Sequence, residues 1–343
     1  MASVTIKDVA LAAQVSVATV SRALNGHTNV AEAVRHRVLA TAKQLRYTPH
    51  AAARSLSSRR THMLGVVLPD LYGEFFSELV RGVDQAAREH GLHLLVSSYH
   101  GHPEEQGEAL RAMRGRVDGL LVMSPYVVAP AVIATDLTAL PVVLINTQTA
   151  ADGIAALNVD NHGGAMTMMG HLIASGHRRI AFIAGPEDNF DAHERRRGYR
   201  DALVQQLPDM QEWILPGDFD EASGHRAGLA LVAGPTLPDA VFAANDMMAL
   251  GCLFALSQAG IRVPDDIALA GFDDIPLARY VHPALTTMRI NIAEVGDRAV
   301  RMLLAQMGKE SMQAMANIVM TPDLIVRETC SAPTSRRQRS DSS

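Results

Sequence analysis

Two short helical signals joined by a tight turn open the chain and leave it few architectures. Thr5 is a good helix N-cap with Asp8 three residues on, the spacing of a capping pair. Ile6, Val9, Ala10 and Ala13 then share one helical face. A turn at Gln14-Val15 leads to a second cap, Ser16, and to a second helix expected to bury Val20 and Leu24. Helices joined so tightly cannot lie antiparallel and must cross steeply, as a helix-turn-helix. The second helix turns Val17, Ala18, Thr19, Ser21 and Arg22 outward, small or hydroxyl-bearing side chains around one arginine. Such a surface can approach another molecule closely. A third amphipathic helix follows, with Val34, Val38, Ala42 and Leu45 inward and Asn29 with Glu32 as its cap.

Charge separates this segment from the rest. Residues 1–60 hold nine Lys and Arg against Asp8 and Glu32, a net of +7, whereas the whole chain stands at −5, which leaves −12 on the remainder. A basic module on an acidic body is the footprint of nucleic-acid binding by the module alone, although a basic solvated cap would show the same charge.

Three runs carry a resemblance that decides between these. Thr-Ile-Lys-Asp-Val-Ala from residue 5, Val-Ser-Val-Ala-Thr-Val-Ser-Arg-Ala-Leu-Asn from residue 15 and Leu-Arg-Tyr-Thr-Pro-His-Ala-Ala-Ala-Arg-Ser-Leu from residue 45 resemble the N-terminal signature of the lac/galactose repressor family, in order and spacing. The resemblance implies a DNA-binding regulator.

The length of 343 residues gives room for two or three domains, and 48% hydrophobic residues supply ample core. No apolar run reaches membrane-spanning length, and the N-terminus lacks a signal-peptide hydrophobic region, so a cytoplasmic protein without membrane association is expected. Cys252 and Cys330 are too few and too far apart for a disulfide scaffold or zinc site.

From Met63 onward short apolar strands alternate with helices. Strand-like runs lie at Met63–Pro69, His93–Tyr99, Gly119–Met123, Pro141–Asn146, Arg179–Gly185, Ala240–Asn245 and Ile267–Phe272. Helical segments include Glu74–His90, Gly163–Ser175, Glu194–Gln206, Ala222–Ala233 and Met247–Ala259. This alternation means parallel sheets with right-handed crossovers, covered on both faces. The pattern restarts after residues 156–160, which suggests two lobes and a cleft, and the resemblance implies the same periplasmic-binding-protein-like core. The expected fold is therefore α/β: a three-helix helix-turn-helix domain over 1–48, a hinge helix and linker over 49–61, and an effector-binding and dimerisation core over 62–330. The N-lobe takes about 62–160 and 290–330 and the C-lobe about 161–288, the last helix rejoining the N-lobe. The Ser/Arg-rich tail, 331–343, reads as disordered, and without leucine heptads it offers no tetramer-forming helix, so a homodimer is expected.

At the DNA end, Arg22 suits guanine O6 and N7, a contact worth about 1–3 kcal/mol of discrimination. Val17 and Ala18 can offer only apolar contact, and in the family this pair of positions sets operator class. Ser16, Thr19, Ser21, Asn25 and Tyr47 read as phosphate contacts that position without specifying, or as local caps, and Thr5 joins the DNA-facing set. By resemblance, residues 51–56 form a hinge helix too short to be stable alone, folding only when two copies meet in a minor groove. There Leu56 would wedge into a base step and Arg54 would hold the backbone or groove, if Leu56 is not simply a linker residue.

Parallel-sheet clefts bind small molecules at the carboxyl ends of strands, where Asp70, Asn146, Asn245 and Asp273 stand. The resemblance implies effector contacts for Asn245 in Ala-Asn-Asp-Met-Met-Ala-Leu-Gly, for Asp273 in Gly-Phe-Asp-Asp and for Arg195 in Arg-x-x-Gly. It also implies aromatic packing on the ligand by Phe219 and, from the opposite lobe, Phe75. Asn245 could equally be a helix cap. Arg195, Asn245 and Asp273 suit vicinal hydroxyls, which favours a sugar or sugar derivative, with a nucleobase or nucleoside as the alternative. Two departures from many relatives stand out: Ile290 where Gln is common, and Gly73-Glu74 where Pro is common. The histidines lack metal-ligand spacing, and no nucleotide fingerprint or nucleophile elbow is present. The expectation is a transcriptional regulator, most simply a repressor, that binds a pseudo-palindromic double-stranded operator as a dimer under a small-molecule effector, with no cofactor, metal or catalytic residue. A solute-binding protein without DNA function is the remaining rival.

Overall fold

The computed structural model describes residues 4–24, 29–47, 60–126, 140–148, 154–308 and 317–330. Asn25, residues 48–59, which include Arg54, Leu56 and most of the expected hinge at 49–61, and the tail from 331 lie outside the described residues. The chain divides between His62 and Met63 into two units.

The first unit is three helices: α1 (Ile6–Ala12), α2 (Val17–Leu24) and α3 (Glu32–Gln44). Asp8 starts α1 as expected, its carboxylate accepting the backbone N–H and the hydroxyl of Thr5, each at 2.8 Å. Val9, Ala13, Val20, Ala23 and Val38 close a small core, while Leu24 is only half-buried against it. The cap of α3 differs from expectation. It falls at Ala31, with no side-chain cap, because Val30 enters the core and leaves Asn29 outside the first turn.

The second unit alternates strand and helix: β1 (Met63–Leu68), α4 (Glu74–Glu89), β2 (His93–Ser98), α5 (Gln106–Met113), β3 (Gly119–Met123), β4 (Val142–Ile145), β5 (Ala155–Val159), α6 (Asn161–Ala174), β6 (Ile180–Ile183), α7 (Phe190–Gln206), β7 (Trp213–Leu215), α8 (Glu221–Ala233), β8 (Ala240–Ala243), α9 (Asp246–Gln258), β9 (Ala268–Ala270), β10 (Thr287–Arg289), α10 (Ile292–Met307), β11 (Asn317–Met320) and β12 (Asp323–Ile325). Two parallel sheets result. One has six strands in the order β11-β5-β4-β3-β1-β2, and the other has four, β7-β6-β8-β9. A short antiparallel pair, β10 with β12, completes the set. The strands β1, β3, β4, β6, β8 and β9 are buried almost throughout, as sheets covered on both faces require.

Late elements return to the first sheet. β11 pairs in parallel with β5, and α10 packs against α4. The α4/α10 contact is close: a Cβ on Gly82 would stand 2.1 Å from the Ala293 carbonyl oxygen. Two helices begin earlier than their sequence pattern suggests. Asp160 caps α6 by accepting from the N–H of Gly163, and Asn189 caps α7 by accepting from that of Ala192. These extra turns place Asn161 and Asp191 on helices, where both are buried.

Candidate DNA-reading face and effector cleft

On the first unit, α2 presents the face expected of it. Val17, Ala18 and Arg22 are exposed, and Thr19 and Ser21 are half-exposed. The Arg22 Nε donates to the Ala18 carbonyl at 3.2 Å, which lays the guanidinium along the start of the helix. The hydroxyls do local work. Ser16 Oγ accepts the N–H of Thr19 at 3.1 Å and shares a 2.9 Å hydrogen bond with its hydroxyl, so both serve the α2 cap. Thr5 is likewise committed to Asp8. Tyr47 is half-buried against the three-helix core. A cap hydroxyl still has a lone pair or proton for a phosphate, so capping and backbone contact are compatible.

In the second unit a cleft of about 340 Å³ opens where the ends of β1, β6, β8 and β9 converge. That volume falls at the small end of ligand sites, which span roughly 300–1,000 Å³. Asp70, Phe75, Arg195, Phe219, Asn245 and Asp273 all line it. Asn146 does not. It is buried and donates from Nδ2 to Asp191 Oδ2 at 2.8 Å, so it supports a lining residue instead of forming the lining.

Arg195 is the hub. It is buried, it donates from Nε to Asn161 Oδ1 at 2.8 Å and from Nη1 to the Ala244 carbonyl at 2.6 Å, and its guanidinium lies 3.9 Å from the Phe272 ring centroid. The flat cation is thus stacked and pinned before any ligand arrives, and such preorganisation lowers the ordering cost of binding. Nη1 also stands 3.1 Å from Asp273 Oδ1, at ion-pair distance but without an N–H aligned on that oxygen. Among the described residues, Asp273 Oδ1 is therefore a buried acceptor with no well-aligned hydrogen-bond donor. A buried polar atom left without a partner is costly unless something supplies one.

Asp191, four residues before Arg195 on α7, was not singled out by motif or spacing. It lines the cleft and accepts from the Nδ2 groups of Asn146 and Asn161, each at 2.8 Å. Burial raises its pKa, against the pull of Arg195 and of the two amides. Burial likewise raises Asp273 to about 6; the Arg195 charge pulls it back and Asp191 pushes it further up. The signal for Asp191 lay in the cap at Asn189, which starts α7 a turn earlier and brings positions 191 and 195 onto one face.

Asn245 is the helix cap its sequence allowed. Its Oδ1 accepts the Met248 N–H at 2.9 Å and its Nδ2 donates to the Phe219 carbonyl at 2.9 Å. The latter bond holds Phe219, whose φ of 66° is left-handed, beside the cleft. Asp70 closes a turn on the opposite side, with Oδ1 accepting the N–H groups of Leu71 and Tyr72. Among the hydrogen bonds that cross between elements flanking the cleft, the Tyr72 hydroxyl donates to Glu221 Oε2 at 3.0 Å and the Leu277 N–H donates to Glu74 Oε2 at 2.9 Å. Glu74 thus makes one of the bridging contacts. Among the described residues no group of His, Cys, Asp and Glu is arranged to hold a metal ion, and no described helix is long and apolar enough to cross a membrane. Cys252 and Cys330 are free and buried, which pushes their thiols up to about 12 and about 11.

Residues 5–50 match the model for bacterial regulatory proteins of the lacI family, and residues 169–330 match that of the periplasmic binding protein-like domain. The chain is 38% identical over 330 residues to the ribose operon repressor of Escherichia coli (strain K12), covering 94% of this chain and 98% of that one. It is 35% identical over 326 residues to catabolite control protein A of Priestia megaterium, with the same two shares, 94% and 98%. Its fold matches the crystal structure of the lac repressor dimer bound to operator and the anti-inducer ONPF with a TM-score of 0.86, at 28% identity, over 96% of this chain and 100% of that one. Helix-turn-helix head, two-sheet core and these likenesses together define a transcriptional repressor with an effector-binding domain, not an enzyme. The chain belongs to the lacI family of bacterial regulatory proteins.

Proposed function

We propose that this repressor binds a pseudo-palindromic operator as a cytoplasmic homodimer and that a sugar or sugar derivative, seated in the cleft of the second unit, controls it. In this reading the 1–48 head reads the major groove through α2, with Arg22 on a guanine and Val17 and Ala18 against base edges, while Thr5, Ser16, Thr19, Ser21, Asn25 and Tyr47 meet the phosphate backbone. Residues 49–61 form the hinge, with Leu56 as the wedge and Arg54 beside it. The core from 62 to 330 takes the effector.

One observation carries the sugar assignment. Asp273 Oδ1 is a buried acceptor without an aligned donor among the described residues, 3.1 Å from the Arg195 guanidinium, in a cleft also lined by Phe219 and Phe75. Adjacent hydroxyls, each both donor and acceptor, satisfy such a pair, and the C–H face of a pyranose or furanose suits an aromatic wall. The chain's relatives include a ribose operon repressor and also the PurR and CytR repressors, at 33% and 34% identity, so the likenesses do not choose the effector class. Asp70, Asn245 and Phe75 complete the contacts, and Asn146 acts through Asp191.

A thermal-shift screen of sugars and nucleobases against the purified chain tests this. A ligand at a hundredfold excess over its Kd stabilises the native state by about 2.7 kcal/mol. The expected result is a sugar that raises the Tm of the wild type and leaves Asp273→Ala unmoved. A nucleobase raising the Tm instead would reject the sugar assignment.

A further inference from the structure

The charged lining of the cleft is one-sided. Among the described lining residues are five carboxylates, those of Asp70, Asp188, Asp191, Asp218 and Asp273, against a single cation, Arg195. Among the described residues no lysine, histidine or second arginine lines it. Residues 127–139 and 149–153, which follow β3 and β4 in the chain, contain no basic residue in sequence. The one guanidinium is already shared: Nη1 stands 3.1 Å from Asp273 Oδ1, and Asp191 lies one turn away on α7. Among the described residues at the rim, Asp218 is offset by Arg226 at 3.1 Å. Even with a proton on one of the two buried carboxylates, the lining sums to a negative charge.

Helix ends do not reverse this. The N-termini of α7 and α9 reach the cleft, but side-chain oxygens of Asn189 and Asn245 already occupy N–H groups of their first turns. A phosphate or carboxylate entering here would lose its hydration, meet carboxylates of its own sign and find one guanidinium already neutralised. An uncharged hydroxyl donates a hydrogen bond to Asp273 or Asp191 and accepts one from Arg195 without that penalty.

We propose that the effector is a sugar bearing neither a phosphate nor a carboxylate group, and that the acidic lining rejects the phosphorylated and oxidised forms of the same sugar. This rests on the sugar reading above and narrows it. The cleft then distinguishes a free sugar from its phosphate ester, so the repressor reports the sugar before a kinase has acted on it.

Isothermal titration calorimetry of the full chain provides the test, with common neutral pentoses, hexoses and disaccharides each paired with its phosphate ester or sugar acid at pH 7.5. The expected result is a neutral sugar that binds at least about tenfold more tightly than its charged partner, which corresponds to about 1.4 kcal/mol. An ester or acid that binds as tightly as its parent overturns the charge proposal and keeps the sugar reading. Absence of binding by every sugar overturns the sugar reading, and the proposal falls with it. Asp188→Asn, an exposed substitution outside the packed core, should narrow the ratio between parent and ester severalfold. An unchanged ratio would assign the discrimination to shape and refute the electrostatic account.

Discussion

Burying a carboxylic acid beside a guanidinium pulls its proton affinity two ways, and at Asp273 the burial wins, lifting the pKa to about 6 from an unperturbed 3.8. In that interval the folded chain keeps a proton that the unfolded chain has released, so this group's contribution to stability declines as pH rises from about 4 to about 6. Asp191 and Asp246, also buried and raised, act in the same direction, and the wild-type profile alone cannot separate the three. Asp273→Asn can. It has no proton to release, so its Tm relative to wild type should climb between pH 4 and pH 6.5 and level off above. A difference that stays flat across the range would contradict the buried ionisation of Asp273.

The elements were legible in sequence where periodicity or motif spoke for them. Buried parallel strands read as apolar runs, and β1, β3 and β8 fall where those runs stand. The three-residue strands β7 and β10 carried too little pattern to detect, and β11 with β12 is recognisable only through its partners in space. Asp70, Phe75, Arg195, Phe219, Asn245 and Asp273 were reachable from strand ends and family motifs, and the cleft brings all six together. Asp191 and Asn161 were not, because a polar residue in a helix's first turn reads as a cap or a solvated face until tertiary packing buries it. Helix spacing gives a stability test at this scale. Gly82→Ala drives a methyl into the Ala293 carbonyl across the α4/α10 contact, and overpacking of this kind costs about 1–3 kcal/mol or more. Gly170→Ala, within α6 with only the Gln206 side chain at 4.0 Å, should gain about 0.5–1 kcal/mol from helix propensity. Thermal melts should therefore move in opposite directions, and equal shifts would deny that Gly82 is required by close helix approach.

At the scale of the whole molecule, a head of net +7 is joined to a remainder of −12. The head draws in DNA through its phosphates, a salt-sensitive attraction that carries no sequence information. The acidic body adds none, and the proposal above fits its cleft to an uncharged ligand. In the proposed reading, specificity comes from the few side chains that α2 turns outward, with Arg22 first among them. The measurement that tests this most directly is selection of binding sites from a random double-stranded DNA pool, performed in parallel with wild type and Arg22→Ala at fixed salt. The account predicts that wild type enriches an inverted repeat, and that Arg22→Ala enriches none while still retaining DNA at low salt. Loss of one bidentate base contact lowers discrimination by about 1–3 kcal/mol in each half-site. Enrichment of the same repeat by both proteins, or of no repeat by wild type, would contradict it.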